Sequence, residues 1–171
     1  MKYMQTGGFR NSPMMRLTLF WALLFISGLW ITNVFMYFSR MDLKPSSVQS
    51  YYLGSEQEYS QPRSAKSMLE ATHGHLPVMA LVLLLLTHLL LFAPYSERFQ
   101  RFFIAASFLS ALLGEGAGWL VRFVHPGFAW LKIGSFLVFQ ACLGFLIAGL
   151  AAFLLAAPPP PAPRAHGRRV V

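Results

Sequence analysis

The chain has 171 residues; 56% of them are hydrophobic and only 12% are charged, half of the roughly 25% found in ordinary soluble domains. Four apolar runs of about 20 residues follow one another, and each is long enough to cross a hydrocarbon layer roughly 30 Å thick. Soluble globular classes and disordered chains are therefore excluded. The formal net charge is +8, and the basic residues stand at the ends of the apolar runs. This placement indicates membrane orientation and no nucleic-acid partner.

The apolar runs predict an all-α membrane protein, a four-helix transmembrane bundle that forms one domain over residues 1–157. The first span covers about 17–38. It follows a basic segment but lacks the small-residue cleavage site of a signal peptide, so we expect it to be retained. The second span covers about 68–93, because Ser67 and Glu70 form a capping-box pattern that starts a helix near Met68.

The third span covers about 102–124 and the fourth about 130–157. Pro126 and Gly127 end the third span, and the consecutive prolines at 158–161 end the fourth. The tail at 158–171 is rich in Pro and Arg and is predicted to be disordered.

Lys and Arg residues predict how the bundle is oriented. Of the 14, eight stand at the two termini or in the turn between the second and third spans, and six stand on the other side. The excess predicts that both termini are cytoplasmic and that the loop at 39–67 is external, in the inner membrane of a bacterium. Three tyrosines of this loop are expected to pack on the membrane surface: Tyr51, Tyr52 and Tyr59.

Histidines are concentrated on the second span, which carries His73, His75 and His88, while His125 ends the third span. Ionisable groups inside a membrane are costly, so each of them indicates a functional site. Adjacent antiparallel spans bring the start of one beside the end of the next, which places His73, His75 and His125 at one depth. His88 lies about 20 Å further along the helix.

This arrangement favours ligation of b-type haem, because a neutral imidazole binds haem iron axially. One helix cannot supply both axial ligands, so we predict His75 and His125 as ligands of a haem iron near the outer surface. His73 can replace His75 in that pair, and His73 and His88 are candidates for another site. A haem at His88 would need a partner chain, a Met ligand or five-coordinate iron. One alternative is that the histidines are hydrogen-bonded and hold no metal, and another is that His73 and His75 serve two different zinc or copper sites.

Glu115 is the acidic residue inside the third span, and Trp119 and Arg122 follow it on the same helical stripe. We expect Glu115 to act as a proton relay or to hydrogen-bond the edge of the haem. Arg122, near the surface, would pair with it indirectly through water or a haem propionate. The alternative is a structural carboxyl group that is bonded to another helix. Three glycines around it form a small-residue surface suited to close helix contact: Gly114, Gly116 and Gly118.

The segment EATHGHL at 70–76 resembles the metal-bearing helix of nitric-oxide reductases and haem–copper oxidases, in which a His-x-His pair ligates two haems from opposite faces. This chain has too few spans and lacks the further histidines that hold their non-haem metal. The resemblance therefore implies haem ligation without reduction of oxygen or nitric oxide. The segments YYLG at 51–54, THGHL at 72–76 and HL at 88–89 resemble a group of small bacterial four-span membrane proteins, which implies the architecture.

The sequence thus predicts a membrane-embedded, haem b-binding electron-transfer subunit of a larger complex, without catalysis of its own. Its expected partners are the lipid bilayer and other membrane subunits or a periplasmic redox protein. A homodimer is compatible with four helices that barely enclose two cofactors. The alternative is a haem-free structural or accessory subunit that packs against other membrane proteins.

Overall fold

The computed structural model describes residues 12–57 and 59–155, and this part of the chain is almost entirely helical. A 3-10 turn at Pro126–Phe128 leads into the last helix, and an isolated bridge pairs Ser55 with Ser60. The helices in chain order are α1 (Pro13–Phe38), α2 (Pro45–Leu53), α3 (Ala65–Leu90), α4 (Glu97–Phe123) and α5 (Ala129–Leu155).

Four of these helices, α1, α3, α4 and α5, are long and apolar enough to cross a membrane. Their most apolar windows are only 17–39% buried within the protein, so most residues of these windows are at least partly exposed, as expected for helices in contact with lipid. The prediction of an all-α, four-span bundle is confirmed. The chain is a multi-pass membrane protein whose helices contact the bilayer.

The spanning helices begin before the apolar runs do, because polar residues cap them. The sequence predicts that the second span starts near Met68; α3 begins at Ala65, because the side chain of Ser64 accepts the Ser67 backbone N–H at 3.2 Å. Likewise α4 begins at Glu97, where Ser96 accepts from the Phe99 backbone N–H at 3.4 Å. The predicted end of the fourth span at 157 and the tail at 158–171 lie outside the described residues.

The spanning helices pack around α5, which contacts α1, α3 and α4. Two apolar clusters fill the bundle. The larger one joins all four spans towards the end of α3, and its most deeply buried side chains are Leu83, Leu86, Leu90 and Leu146. The smaller one lies on the side of the loop at 39–64, which we call the loop side, and it contains Val48, Tyr52, Val121 and Ala129.

The short helix α2 covers the loop-side ends of α4 and α5, and the apolar runs do not predict it. Val48 is fully buried, and the side chain of Gln49 donates to the Pro126 carbonyl at 3.2 Å. The sequence predicts that the loop tyrosines pack on the membrane surface. For Tyr52 this is wrong, because α2 directs it into the protein, where it is 8% exposed. Tyr59 is 95% exposed, so its packing on the membrane surface stays a prediction.

The predicted small-residue surface is formed by two of its three glycines. A methyl group at Gly114 would lie 3.4 Å from the Ser135 hydroxyl on α5, and one at Gly118 would lie 2.6 Å from the Tyr52 hydroxyl on α2. Gly116 faces open space, with no atom within 4 Å of that position. Gly114 and Gly118 therefore allow α5 and α2 to approach α4 closely.

Candidate functional site

A cavity of about 340 Å³ lies on the loop side of the bundle, between α1, α3, α4 and α5 and beneath α2. We call it the polar cavity, because several of its lining groups can ionise or hydrogen-bond: Tyr37, Tyr52, His75, Glu115 and Lys132. Four of these five stand on spanning helices. Polar side chains at such depth are rare unless they have partners or a function, so the polar cavity is the candidate site.

Glu115 lines the polar cavity and contacts two side chains of α3. The Thr72 hydroxyl donates to Glu115 Oε1 at 2.5 Å, and His75 Nδ1 lies 3.2 Å from Glu115 Oε2. Trp119 Nε1 donates in turn to the Thr72 hydroxyl oxygen at 3.0 Å. Thr72 and His75 are three residues apart on α3, and Glu115 and Trp119 are four apart on α4, so each pair shares one helical face. The network links α3 to α4.

A cation from a third helix completes this network. Lys132 of α5 donates through Nζ to the Gly114 carbonyl at 2.7 Å, and its ammonium group attracts Glu115 electrostatically. The Glu115 side chain is only 15% exposed, so its charge is shielded little by solvent. Side chains from three helices therefore act on one carboxylate: the hydroxyl of Thr72 and the imidazole of His75 contact it, and Lys132 attracts it from the neighbouring Gly114 carbonyl.

Two tyrosines border the polar cavity. Tyr52 of α2 lies against Gly118, and burial raises the pKa of its hydroxyl above the usual value, which keeps the hydroxyl neutral. Tyr37 of α1 is 6% exposed and stacks on Phe136 with 3.7 Å between ring centroids. Its hydroxyl has no hydrogen-bond partner among the described residues. A buried polar atom without a partner indicates that water or a ligand binds beside it.

Of the histidines that the sequence indicates, only His75 lines the polar cavity among the described residues. Its side chain is 54% exposed. His73 is exposed on α3, and its position is about 200° around the helix from His75. His88 lies near the other end of α3, with its ring 5.5 Å from that of Phe92. Haem ligation by His73 or His88 stays a prediction.

His125 begins the 3-10 turn after α4, and its Nδ1 accepts the Gly127 backbone N–H at 3.0 Å. It does not belong to the described lining of the polar cavity, so the structure does not bring it together with His75 there. Arg122 also lies outside this lining. Its Nε donates to the Arg63 backbone carbonyl at 2.9 Å, which ties the loop to the end of α4.

Sequence reasoning missed four residues of the site, namely Tyr37, Tyr52, Thr72 and Lys132. Lys132 could have been found, because a cation within an apolar run is as unusual as Glu115 is. The contact of His75 with Glu115 could also have been predicted from the positions of the two residues in their helices. His75 follows the start of α3 by ten residues, and Glu115 precedes the end of α4 by eight. In antiparallel helices these offsets correspond to similar depths, about 15 Å and 12 Å.

The described residues contain no group of three or more His, Cys, Asp or Glu side chains that could hold a metal ion. A site for a bare metal ion of that kind is therefore not formed in this part of the chain. Haem needs one or two axial ligands, because the porphyrin supplies the other four. His75 alone can meet that requirement.

No curated protein and no solved structure matches the chain. A family model does match it: Aq_1264_TM, described as a transmembrane helical domain, covers residues 42–161. The matched region includes α2 to α5, and with them Tyr52, His75, Glu115 and Lys132. The chain belongs to the Aq_1264_TM family of transmembrane helical domains.

Proposed function

We propose that this protein binds b-type haem in the polar cavity, with His75 as axial ligand, and passes electrons as a subunit of a larger membrane complex. The observation that carries the proposal is the contact between His75 Nδ1 and Glu115 Oε2 at 3.2 Å. It joins a half-exposed imidazole to a buried carboxylate inside a spanning bundle.

This contact favours the tautomer of His75 that can ligate iron. A carboxylate only accepts hydrogen bonds, so Nδ1 is the donor, and in the neutral ring the lone pair of Nε2 is free for ligation. Ligating histidines usually donate their other N–H to such a partner, which fixes the tautomer and makes the ring a stronger ligand. The hydrogen bonds from Thr72 to Glu115 and from Trp119 to Thr72 hold the carboxylate in turn.

The lining of the polar cavity also fits a porphyrin. Trp119, Phe136 and Phe139 supply flat aromatic surfaces, and Met36 and Met79 supply adaptable apolar ones. The volume of about 340 Å³ lies at the lower end of the range of about 300–1,000 Å³ that is typical of small-molecule sites. The unpartnered hydroxyl of Tyr37 can donate to a polar edge of the ligand. Bound haem would supply a one-electron couple within the membrane.

His125 is less well arranged than His75 to ligate the iron. When His125 Nδ1 accepts the Gly127 N–H, a neutral ring carries its proton on Nε2. His125 can therefore ligate iron only after it releases this hydrogen bond or changes its tautomer. Met36 of α1 lines the polar cavity, and its thioether would be an alternative second ligand of the iron.

The distribution of Lys and Arg supports the proposed orientation and location of the protein in the membrane. Both termini lie in the cytoplasm of a bacterium, the chain crosses the inner membrane, and the loop side faces the periplasm. Electrons would then pass between the haem and a periplasmic redox protein or another membrane subunit. A second copy of the chain is a further candidate partner.

Purified full-length protein tests the proposal by its pyridine haemochrome spectrum. We expect about one haem b per chain and a reduced-minus-oxidised difference spectrum of a b-type cytochrome. Circular dichroism and a single elution peak serve as the control for folding. If folded protein that is produced with ample haem shows no haem band, the proposal is wrong, and the haem-free accessory subunit is the better account.

A further inference from the structure

Two arginines from opposite ends of the loop meet at one tyrosine hydroxyl. Arg63 Nη2 donates to the Tyr51 hydroxyl oxygen at 2.8 Å, and Arg40 Nη1 lies 3.5 Å from the same atom. The Arg63 guanidinium also stands over the Tyr51 ring, 4.4 Å from its centroid. We call Arg40 and Arg63 the arginine pair. Their positive charges approach one neutral oxygen, which screens neither of them.

Among the described residues no carboxylate forms an ion pair with either arginine. The arginine pair lines a surface cavity of about 850 Å³ together with Lys44, and Asp42 is the one acidic residue of its described lining. The carboxylate of Asp42 lies 3.9 Å from Lys44 Nζ and accepts the Leu43 backbone N–H. Three cations thus face one carboxylate that already has two partners, so this surface attracts anions.

Other contacts hold Arg63 in place, and most of its guanidinium donors have no hydrogen-bond partner among the described residues. Its backbone N–H donates to the Tyr52 carbonyl at 3.1 Å, and its carbonyl accepts from Arg122. Its Nη1 lies 3.5 Å from the Ser67 hydroxyl. A guanidinium has five N–H donors in a planar fork, a shape that matches two oxygens of one oxyanion. Arg63 is therefore positioned before any anion binds.

Serine hydroxyls surround the arginine pair and can add further donors. The hydroxyl oxygen of Ser47 accepts the Asp42 backbone N–H, and that of Ser64 accepts the Ser67 backbone N–H. Because both oxygens act as acceptors in these contacts, their O–H groups remain available to donate. Both serines line the same surface cavity as the arginine pair.

The arginine pair stands at the level where lipid headgroups lie. Arg40 follows the end of α1 by two residues, and Arg63 precedes the start of α3 by two. Both helices are apolar spans, so their ends mark the boundary between hydrocarbon and headgroups. Below this boundary α1 exposes Phe35 and Phe38, at 69% and 49%. Cations above and exposed apolar side chains below match the two parts of a phospholipid.

We propose that the arginine pair is an oxyanion site that binds the phosphate of an anionic phospholipid headgroup. The arginine pair also borders the polar cavity, so the two proposed sites adjoin, but the oxyanion site uses neither His75 nor Glu115. Inorganic phosphate offers the same chemistry as the headgroup, so the experiment includes it as a second source of the oxyanion.

The test adds phosphatidylglycerol to delipidated full-length protein in detergent and counts bound lipids by native mass spectrometry. The variants are Arg40→Gln, Arg63→Gln and the double variant, and Arg101→Gln is the matched control. Arg101 is exposed at the opposite ends of the spans, where it pairs with Glu97. We expect the double variant to bind phosphatidylglycerol about tenfold more weakly, since charge-assisted bonds to phosphate are lost. The control should bind it like the wild type.

The phosphate competition identifies the source of the oxyanion, and the variants decide the proposal. If millimolar inorganic phosphate displaces the lipid from wild-type protein, the phosphate group alone is sufficient, and free phosphate is a ligand of the same site. If it does not, the site requires a lipid headgroup. Unchanged lipid binding in the double variant would overturn the proposal, and so would variants that lose haem but keep the lipid, because the pair would then hold the haem carboxylates. Arg40 is exposed, so its single variant decides the matter if Arg63→Gln fails to fold.

Discussion

At the scale of the single residue, Glu115 is the group around which the polar cavity is built. Thr72 and His75 contact its two carboxylate oxygens, and Lys132 attracts it from a third helix. A carboxylate inside a spanning bundle is strongly destabilising without such partners, because transfer out of water penalises its charge. The same contacts orient the imidazole that we propose as the haem ligand.

Replacement of this carboxylate by an amide tests its role. Glu115→Gln keeps the size of the side chain but removes its charge, so the His75 tautomer is no longer fixed and the imidazole becomes a weaker electron donor. We expect haem affinity to fall by about 10- to 100-fold, as for other such partners of ligating histidines. The midpoint potential should rise, because the ferric state is stabilised less.

Titration of haem-free protein with haemin gives the affinity, and a spectroelectrochemical titration gives the potential. Glu97→Gln is the matched control, since Glu97 lies on the same helix with its side chain 89% exposed. Wild-type haem affinity and potential in Glu115→Gln would show that the carboxylate does not act on the ligand.

His75 and Glu115 could both be chosen from the sequence, but their contact could not be read from either residue alone. The histidine pattern favours His125 as the partner of His75, whereas the structure pairs His75 with Glu115. Lys132 is one of the six Lys and Arg residues that the sequence places on the loop side, where it counts only toward membrane orientation, because it stands near the start of an apolar run. The difference lies in which face each helix turns to its neighbour, and the sequence of one helix does not specify that.

At the scale of the element, apolar length predicts the spans well and their ends poorly. The apolar runs identify α1, α3, α4 and α5, because a spanning helix needs about 20 apolar residues. Their first turns contain polar and charged residues that a hydropathy pattern excludes, although Ser64 and Ser96 cap them. The helix α2 was missed because it is short and polar, and because its burial depends on contacts with α4 and α5.

The packing of α2 against α4 can be tested by a substitution at one glycine. In Gly118→Ala the new methyl group would lie 2.6 Å from the Tyr52 hydroxyl, so Tyr52 must move. We expect a loss of about 1–3 kcal/mol in the free energy of unfolding, which is typical of an overpacked core. Thermal unfolding in detergent, followed by circular dichroism, measures it.

Gly116→Ala is the control, because the same methyl group would meet no atom within 4 Å there. It should be neutral or slightly stabilising, since alanine favours helix over glycine. Equal melting temperatures for the two variants would contradict the close contact between α2 and α4.

The attachment of α2 should also depend on pH through Tyr52. Burial raises the pKa of its hydroxyl above the usual value of 10.0, so the fold favours the neutral form. The stabilisation is complete below pH 10 and is lost as the pH rises towards the folded-state pKa. We expect proteolysis of the loop to increase in that range in wild-type protein and to do so less in Tyr52→Phe.

Limited proteolysis between pH 8 and pH 11 gives the measurement, and Tyr59→Phe, at a residue that is 95% exposed, is the control. If Tyr59→Phe loses the pH dependence and Tyr52→Phe keeps it, the titration of Tyr52 is not its cause, and the prediction is wrong.

At the scale of the whole molecule, the two ends of the bundle differ in chemistry. The loop side contains the polar cavity and the arginine pair, while the other end is filled by a cluster of apolar side chains. The family match covers α2 to α5, and α1 adds Tyr37 and Met36 to the lining of the polar cavity. The ionisable and charged groups that line the two cavities therefore lie at one end of the bundle.

Labelling of single cysteines tests which side that is. The native Cys142 is buried within the bundle, so it should react little. In intact cells we expect a membrane-impermeant maleimide to label Tyr59→Cys in the loop and to leave Ser96→Cys in the opposite turn unlabelled. Both residues are exposed in the structure, so equal labelling is expected in detergent. The reverse pattern in cells would contradict the proposed orientation.

The most direct test of the central claim compares two histidines on one helix. Haem-loaded wild-type protein, His75→Ala and His73→Ala are purified in parallel, and their reduced-minus-oxidised spectra are recorded per folded chain. His75 lines the polar cavity and contacts Glu115, whereas His73 is exposed two residues away. We predict that His75→Ala loses the b-type spectrum and that His73→Ala keeps it. A full spectrum in His75→Ala, or its loss only in His73→Ala, would contradict haem binding through the polar cavity.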